Sequence, residues 1–280
     1  MNPESTRAAV ERVLADCGPV IVACSGGIDS LLLATIAHHR SPAATVVAHT
    51  VTPAVPGEGT GRVVTHAERH GWTLELVRSD EFEDERYLAN PTDRCYFCKT
   101  NLYAAIAPLR HADIARADAV IVSGANTDDL GEYRPGLDAA AEAGVRHPFV
   151  EAGVGKADIR AVARHLGIVE ADLPSSPCLA SRLYTGTRVT EARLRSVEAG
   201  ESVLRAEGFE IVRCRRRDAV AVVELPADDR DRVTPALLDT VRSAMQAVDP
   251  DLVSLTLDDR PYRPGQAVLH VSEGSHARSR

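Results

Sequence analysis

The chain has 280 residues, of which 44% are hydrophobic and 26% charged, the composition of an ordinary globular protein of one large or two modest domains. A net charge of −8 argues against broad nucleic-acid or membrane binding, which normally requires a basic face. No apolar run approaches the roughly 18 residues that a membrane-spanning helix needs, and the start lacks a signal-peptide core. We therefore expect a cytoplasmic protein whose six cysteines are thiols or metal ligands rather than disulfides.

The first predicted unit is a strand, a glycine-rich turn and a helix. The apolar run 19–24 comes directly before the hexapeptide 25–30, and a second apolar run begins at Leu31. A turn in this place aims free backbone N–H groups and the positive end of a helix dipole at one point, which suits a pyrophosphate. Glycine allows close approach and a positive φ, hydroxyls donate hydrogen bonds, and a carboxylate holds a metal ion or the helix N-terminus. The predicted phosphate-binding residues are Ser25, Gly26, Gly27, Asp29 and Ser30.

Two familiar phosphate motifs do not account for this turn. The chain contains no G-x-x-x-x-G-K-[ST], and the glycine spacing is not G-x-G-x-x-G. An ordinary helix N-cap with two incidental glycines is the alternative. The strand–turn–helix context favours nucleotide binding.

Strands and helices alternate along the first part of the chain. Mostly apolar strands that alternate with helices predict an α/β fold with a doubly wound parallel sheet. Ligands of such sheets bind beyond the carboxyl ends of the strands, where residues 25–30 and 123–129 are expected to lie. The predicted strands are 45–51, 72–77 and 119–123, and the predicted helices are 62–70, 98–114 and 156–167.

The second part predicts a long loop and a smaller domain. Residues 169–190 lack periodicity, and a loop of that length in a compact domain is either disordered or functional. A helix follows with Thr190 as N-cap, and the remaining pattern is that of a small α+β domain of the split-βαβ kind. Its predicted elements are the helix 190–207, the hairpin 209–225, the helix 229–247 and the strand 252–257. The predicted domains are a nucleotide-binding domain at 1–172, an active-site loop at 173–189, a substrate-binding domain at 190–271 and a flexible tail at 272–280.

The cysteines fall into two groups. Cys95 and Cys98 have the C-x-x-C spacing, and two thiolates at a helix start have lowered pKa values and chelate one metal ion or one cluster edge. A thioredoxin-type redox pair is the alternative. One pair supplies only half of a four-cysteine site, so a third ligand is needed, and Cys178 in the long loop is the best candidate. The cysteines expected to be structural are Cys17, Cys24 and Cys214.

These segments carry a family resemblance. The hexapeptide 25–30 matches the SGGxDS signature of the PP-loop ATP pyrophosphatases, whose fold is adenine nucleotide α-hydrolase-like and which cleave ATP between its α- and β-phosphates. With three further segments the chain resembles the LarE family of ATP-dependent sulfur transferases, over nearly its whole length. Those segments are 123–136, 178–182 and 212–215.

The resemblance implies a two-step reaction on a pyridinium dicarboxylate mononucleotide in the synthesis of the nickel-pincer cofactor of lactate racemase. A substrate carboxylate attacks the α-phosphate of ATP, giving an acyl-adenylate and pyrophosphate. A sulfur nucleophile then displaces AMP and leaves a thiocarboxylate. We also expect a homo-oligomer, whose size the sequence does not fix.

The source of the sulfur differs within the family. Some members give up the sulfur of their own cysteine, whereas others bind a [4Fe-4S] cluster through three cysteines and pass on a sulfide held at the open iron. Here all three positions are cysteine: Cys95, Cys98 and Cys178. Self-sacrifice needs only Cys178 and gives no reason for the C-x-x-C pair. We therefore expect ATP, Mg²⁺ and a [4Fe-4S] cluster as cofactors.

The negative charge of the phosphates predicts a magnesium site. Adenylation crowds negative charge onto the α-phosphate and pyrophosphate, which Mg²⁺ and arginines should neutralise. We expect Asp29 and Asp129 to be Mg²⁺ ligands, with Asp128 and Glu132 as further options, and capping of turns is the alternative.

A basic strand is expected to bind the substrate. Arg213 and Arg215 alternate along it and so project to the same face, where two guanidinium groups form a clamp for the substrate phosphate. A solvated face of an edge strand is the alternative. Arg182 and Glu201 are expected to line the substrate site as well.

Three other functions remain open. A PP-loop tRNA thiolase also joins C-x-x-C to a cluster, but it should have a basic surface. An amidating ligase of the same superfamily uses ammonia and needs no set of three cysteines. A nucleotide-binding or cluster-carrying scaffold would not turn over. We expect a small-molecule substrate and a sulfide or other sulfur donor as partners, and neither a membrane nor a nucleic acid.

Overall fold

The computed structural model of the protein describes residues 2–112, 118–131, 134–174 and 177–263. In chain order the described α-helices are α1 (Pro3–Cys17), α2 (Ile28–Arg40), α3 (Gly57–His70), α4 (Glu85–Leu88), α5 (Arg94–Ile106), α6 (Pro135–Glu142), α7 (Pro148–Glu151), α8 (Lys156–His165), α9 (Glu191–Ala206) and α10 (Pro235–Val248). The described strands are β1 (Val20–Ala23), β2 (Thr45–Thr50), β3 (Thr73–Val77), β4 (Val120–Ser123), β5 (Arg213–Arg217), β6 (Val220–Glu224) and β7 (Ser254–Leu257).

The chain divides into two compact units. The first unit contains Met1–Glu81 and Cys95–Ser176, and the second contains Phe82–Arg94 and Pro177–Arg280. Residues 82–94, which the sequence predicts in the first domain, belong to the second unit. The reason is Asn90, whose buried amide donates hydrogen bonds to carbonyl oxygens nearly a hundred residues away. These acceptors are the carbonyls of Tyr184 at 2.9 Å and Thr187 at 2.8 Å.

The first unit confirms the predicted parallel sheet. Its strands lie in the order β3-β2-β1-β4, and every neighbouring pair is parallel. Alternate residues of β1 enter two different cores, so that Val20 and Val22 pack on one side and Ile21 on the other. Helices α1, α2, α3 and α8 contribute to the first core, and α5 and α6 to the second. The sheet is therefore covered on both faces, as a doubly wound fold requires.

Helix α1 was not predicted, although the sequence carries its boundary signals. The side chain of Asn2 accepts the N–H of Glu4 at 2.8 Å, Pro3 opens the helix, and Gly18 follows its end at φ +73°. Helix α5 starts earlier than predicted, at Arg94, and ends at Ile106; the predicted end, Ile114, lies outside the described residues. The predicted tail 272–280 also lies outside them.

The second unit has the predicted small α+β form. Strands β5 and β6 are an antiparallel hairpin, and β7 pairs parallel to β6. Helix α9 begins after Thr190, whose hydroxyl accepts the N–H of Arg193 at 3.2 Å, which confirms the predicted cap. The sulfur of Met245 on α10 comes close to Gly200 on α9, so the two helices pack tightly. No helix in the described part of the chain is long and apolar enough to cross a bilayer.

Candidate functional site

The glycine-rich turn joins β1 to α2 at the carboxyl end of the sheet. Gly26 has φ +78°, and a Cβ at this position would lie 2.3 Å from the carbonyl oxygen of Gly59. No other residue type fits there without moving the backbone. Gly27 has φ −84°, so the predicted positive φ is right for Gly26 and wrong for Gly27. Gly27 is instead the N-cap of α2, and no side chain caps this helix start.

Hydroxyl groups hold the shape of the turn. The Ser30 hydroxyl donates to the carbonyl of Gly27 at 3.0 Å and accepts the N–H of Ser25 at 3.0 Å. Ser30 is buried and Ser25 is exposed. From α3, the Nε of Arg62 donates to the carbonyl of Gly26 at 2.9 Å. The hydroxyls of Ser25 and Ser30 lie 3.2 Å apart. The turn is thus fixed by its own hydroxyl groups and by a neighbouring helix.

A buried histidine supports the same region. The Nδ1 of His49 lies 2.8 Å from the carbonyl oxygen of Cys24, and its Nε2 lies 2.9 Å from the hydroxyl of Thr60. A carbonyl only accepts, so Nδ1 carries the proton and Nε2 accepts from Thr60. Burial lowers the pKa of His49, which keeps the ring neutral and suited to this pair of bonds.

Two of the predicted acidic residues lie at this edge of the sheet. Asp29 is the second residue of α2, and its Oδ1 accepts from the Nζ of Lys156 at 2.6 Å. Burial raises the pKa of Asp29, the bond from Lys156 opposes that rise, and the charge of Asp129 adds to it. Asp129 follows β4 and pairs with Arg134 at 2.8 Å. The two carboxylates therefore act on one another beyond the ends of adjacent strands.

Asp128 and Glu132 are the two further candidates for Mg²⁺ ligands. The Oδ2 of Asp128 accepts the N–H of Lys156 at 2.9 Å, so Asp128 caps the start of α8. Capping of a turn, the alternative considered for these acidic residues, is seen at Asp129, whose Oδ2 accepts the N–H of Asn126 at 3.0 Å. Glu132 lies outside the described residues. Lys156 is not among the predicted site residues. Its signal was composition, because the 32 cationic residues include only two lysines, Lys99 and Lys156.

The C-x-x-C pair occupies the first turn of α5. Cys95 is exposed and Cys98 is half-buried. Burial lowers the pKa of His147, the charges of Glu151 and Asp129 oppose that lowering, and the charge of Lys99, the residue after Cys98, adds to it. The hydroxyl of Ser123 at the end of β4 lies 2.8 Å from Nδ1 of His147. His147 is therefore a neighbour of both the cysteine-bearing turn of α5 and the end of β4.

Cys178 belongs to the second unit, where its loop is tied down by an arginine. The Nη1 of Arg182 donates to the carbonyl of Cys178 at 3.2 Å, and the Nε and Nη2 of Arg182 donate to both oxygens of Glu201 at 2.8 and 3.0 Å. Neither side chain of this pair is exposed. The contacts hold the Cys178 loop on α9, and substrate contact by Arg182 and Glu201 stays a prediction.

The arginines of β5 are buried, which excludes the solvated-face alternative. Arg213 and Arg215 alternate along the strand as predicted. The Nε of Arg215 donates to Glu224 at 2.9 Å, and the guanidinium of Arg213 lies 5.3 Å from the ring centre of Tyr262. Burial and the charge of Arg182 lower the pKa of Arg213. Mutually repelling buried cations favour the binding of an anion.

The cysteines divide by exposure. Cys17, Cys24 and Cys214 are buried, which confirms the prediction that they are packing residues, and burial raises the pKa of each thiol. All six cysteines lie in the described part of the chain, and none forms a disulfide. Within the described residues of each unit, no three His, Cys, Asp or Glu side chains come together as a metal site. Joint ligation by Cys95, Cys98 and Cys178 stays a prediction.

Three known proteins are similar to this chain over about three quarters of its length. No protein-family model matches the chain. An uncharacterized protein of Synechocystis is 36% identical over 208 residues, which cover 74% of this chain and 76% of the relative. An uncharacterized protein of Methanocaldococcus jannaschii is 30% identical over 209 residues, 75% of this chain and 78% of the relative. The pyridinium-3,5-bisthiocarboxylic acid mononucleotide synthase of Lactiplantibacillus plantarum is 33% identical over 225 residues, 79% of each chain. The chain therefore belongs to the family of that synthase, the LarE family.

Proposed function

We propose that this protein is an ATP-dependent sulfur transferase that converts a carboxylate of a pyridinium dicarboxylate mononucleotide to a thiocarboxylate, in the synthesis of a nickel-pincer cofactor. The observation that carries the proposal is the 33% identity over 79% of the chain to a synthase named for a bisthiocarboxylic acid mononucleotide. The glycine-rich turn and the three cysteines that are not fully buried, Cys95, Cys98 and Cys178, are the features of this chain that such a reaction needs.

The first step uses the turn 25–30. The free N–H groups at the start of α2 bind the phosphates of ATP, and the substrate carboxylate attacks the α-phosphate in line with the departing pyrophosphate. The rigid turn positions the α-phosphate, since Gly26 is held by Gly59 and by Arg62. The products are an acyl-adenylate and pyrophosphate.

The residues at this edge fit a magnesium ion. In nucleotide sites Mg²⁺ is bound by one or two carboxylates together with phosphates and water. Asp29 and Asp129 fit this donor set, because they follow neighbouring strands and the charge of one acts on the other. The ion would add positive charge beside the phosphates.

The second step transfers sulfur. Iron–sulfur clusters are bound by thiolates, and the proposed ligands Cys95, Cys98 and Cys178 are the three cysteines that the fold leaves accessible. Together these cysteines would hold a [4Fe-4S] cluster, which would supply sulfide-level sulfur for the transfer. Sulfur attack on the acyl carbon then displaces AMP. In the alternative, Cys178 gives up its own sulfur and the protein acts once.

The second unit is proposed to bind the substrate. Arg213 and Arg215 present cationic groups from one face of β5, and their desolvation favours a phosphate over water. Arg182 and Glu201 stand beside them in the same charged network, as the effect of Arg182 on the pKa of Arg213 indicates. We also propose that the protein acts as a homo-oligomer and takes its sulfide from a separate donor.

Pyrophosphate release tests the proposal. Protein prepared without oxygen should release pyrophosphate from Mg·ATP only when the pyridinium dicarboxylate mononucleotide is added. With a sulfide source, mass spectrometry should find one substrate oxygen replaced by sulfur. Salt-sensitive retention of tRNA would favour the tRNA thiolase instead. Ammonia-dependent AMP release that survives Cys95→Ala would favour an amidating ligase.

A further inference from the structure

We propose that His147 accepts the proton of the sulfur nucleophile when a hydrosulfide group attacks the acyl-adenylate. The inference rests on the proposed function, because it assigns a residue to the second of the two proposed steps. His147 lies outside the four segments that carry the family resemblance. Its case is made by its place in the fold and by the groups around its ring.

The backbone brings His147 to the edge of the sheet where the nucleotide would bind. The N–H of Arg146 donates to the carbonyl of Ile121 at 3.0 Å, and the N–H of Ser123 donates to the carbonyl of Arg146 at 3.0 Å. Arg146 thereby forms an isolated parallel bridge with β4. His147 follows this bridge directly, just as the turn 25–30 follows β1. Both therefore leave the sheet at its carboxyl edge, where ligands of such sheets bind.

Direct contacts connect His147 to the glycine-rich turn. The Nδ1 of His147 lies 2.8 Å from the hydroxyl of Ser123, the last residue of β4. Gly124 comes next, and a Cβ there would lie 2.9 Å from the backbone nitrogen of Ser30. The end of β4 is therefore packed against the first turn of α2, whose N–H groups are proposed to bind ATP. In an acyl-adenylate a single oxygen joins the acyl carbon to the α-phosphorus, so the reacting carbon would lie at this edge as well.

The cysteine-bearing turn of α5 reaches the same edge. A Cβ at Gly136, in the first turn of α6, would lie 3.6 Å from the carbonyl oxygen of Cys95 and 4.0 Å from its Cβ. Arg134 comes directly before α6 and pairs at 2.8 Å with Asp129 in the loop that follows β4. These contacts place the C-x-x-C turn beside that loop, so the sulfur chemistry proposed for it has His147 as a neighbour.

The groups around His147 keep its ring neutral. Burial lowers the pKa of His147, and the charge of Lys99 adds to that lowering. The charges of Glu151 and Asp129 oppose it, but the carboxylate of Glu151 is itself paired with Arg146. The pKa of the ring is therefore below its ordinary value of about 6.5, and the neutral form, which is a base, predominates at pH 7.

The contact with Ser123 leaves the second ring nitrogen for the proton. A hydroxyl oxygen accepts as well as donates, so in the proposed tautomer Nδ1 carries the ring proton and donates to Ser123. The lone pair then lies on Nε2, and across the described parts of the chain no group forms a hydrogen bond with this nitrogen. The side chain is half-buried, so Nε2 remains open to a ligand.

The proton transfer balances the second step. The sulfur of the hydrosulfide forms a bond to the acyl carbon, the bond from that carbon to the phosphate oxygen breaks, and its electron pair leaves with AMP. The S–H proton passes to Nε2 of His147, so the thiocarboxylate forms as an anion. The imidazolium then gives the proton to water. The step needs no oxidant or reductant.

Replacement by asparagine separates a proton acceptor from a structural contact. In His147→Asn the amide nitrogen takes roughly the place of Nδ1 and keeps a donor to Ser123, but no base remains. When sulfide is added to acyl-adenylate already formed on the protein, thiocarboxylate should appear about 10²- to 10⁴-fold more slowly. Pyrophosphate release and the KM for ATP should not change. In His147→Ala, added imidazole should restore part of the rate. His165→Asn is the control, on α8 and 4.0 Å from Glu4, and should change none of these quantities.

A measurement on the unaltered chain covers the case in which both variants fail to fold. With ¹⁵N-labelled histidine, NMR should find the proton of the neutral His147 ring on Nδ1. The second step should slow as the pH falls through the pKa that NMR gives for this ring, because the protonated ring cannot accept.

The outcomes distinguish this inference from the proposed function. If thiocarboxylate forms equally fast in His147→Asn, if pyrophosphate release falls as much as sulfur transfer does, or if NMR finds the proton on Nε2, the inference is wrong while the proposed function stands. If the unaltered chain neither releases pyrophosphate nor makes thiocarboxylate, the proposed function fails and the inference fails with it.

Discussion

The guanidinium of Arg182 and the carboxylate of Glu201 form a bidentate ion pair in which both side chains are fully buried. Arg182 also donates to the carbonyls of Pro177 and Cys178. The pair therefore couples the stability of the second unit to the position of the loop that carries Cys178.

Breaking the ion pair between Arg182 and Glu201 should lower the stability of the second unit. Glu201→Gln leaves the Arg182 charge buried without its counter-ion, and removal of one partner of a buried pair typically costs about 3–5 kcal/mol. Urea unfolding should show this loss in the second unit. Glu85→Gln is the control, because Glu85 pairs with Arg188 at the surface, and the urea midpoint should not change. An unchanged midpoint in Glu201→Gln would mean that the pair does not hold the loop.

The shape of the glycine-rich turn should decide ATP cleavage. In Gly26→Ala the new Cβ meets the Gly59 carbonyl, so the turn must shift, and pyrophosphate release should fall by at least about 100-fold. The control is Gly71→Ala, at φ +68° with open space around it. It should lose about 1–2 kcal/mol of stability and keep its pyrophosphate release. Equal rates in the two variants would contradict a phosphate site at Gly26.

Substrate binding should depend on the inner arginines of β5. Arg213→Gln should raise the KM for the mononucleotide by about 10- to 100-fold, because a charged hydrogen-bond donor to the phosphate is lost, and should leave the KM for ATP unchanged. Arg217→Gln, at the exposed end of the same strand, is the control. A KM for the mononucleotide that is unchanged in both variants would contradict the binding of the substrate phosphate by Arg213.

Acid should weaken the first unit through four histidines that are buried or half-buried. Burial lowers the pKa of His38, His49, His70 and His147 below the ordinary value of about 6.5. Below about pH 6.5 the unfolded chain therefore binds more protons than the folded one. The contribution of these histidines to the stability of the folded state is fully present above that pH and is lost as the pH falls through it. The urea midpoint should therefore drop between pH 7.5 and pH 6.

One variant isolates a single histidine in this effect. His49→Asn keeps a donor to the carbonyl of Cys24 but cannot titrate, so its midpoint should depend less steeply on pH than that of the unaltered chain. The raised pKa of Asp29 and Glu81 acts in the opposite sense, since the folded state gains protons there as the pH falls. A slope unchanged by His49→Asn would assign the acid response to other groups.

Local signals were enough to predict most of the elements. The apolar strands, the turn at Gly26 and the Thr190 cap all have causes within a few residues, and the structure has them where they were predicted. The start of α1 also has local causes, since Asn2 caps the helix and Pro3 opens it.

The rest depended on contacts between distant residues. Asn90 joins residues 82–94 to the second unit through carbonyls nearly a hundred positions away, and no local pattern contains that bond. In the sequence the arginines of β5 are compatible with a phosphate clamp or with a solvated edge. Their burial depends on distant counter-ions, Glu224 for Arg215 and Asp249 for Arg216. The position of Lys156 depends on contacts with Asp29 and Asp128, which are distant in sequence and which no local pattern predicts.

The most direct test counts thiocarboxylate products per chain. Protein prepared without oxygen, given Mg·ATP, sulfide and the pyridinium dicarboxylate mononucleotide, should contain iron, make more than one product per chain and keep the mass of Cys178. Cys95→Ser should lose both the iron and the repeated turnover, whereas Cys17→Ser, which changes a buried cysteine, should keep both. Unchanged iron content and repeated turnover in Cys95→Ser, or the loss of one sulfur from Cys178 after a single product, would contradict sulfur delivery by three cysteines.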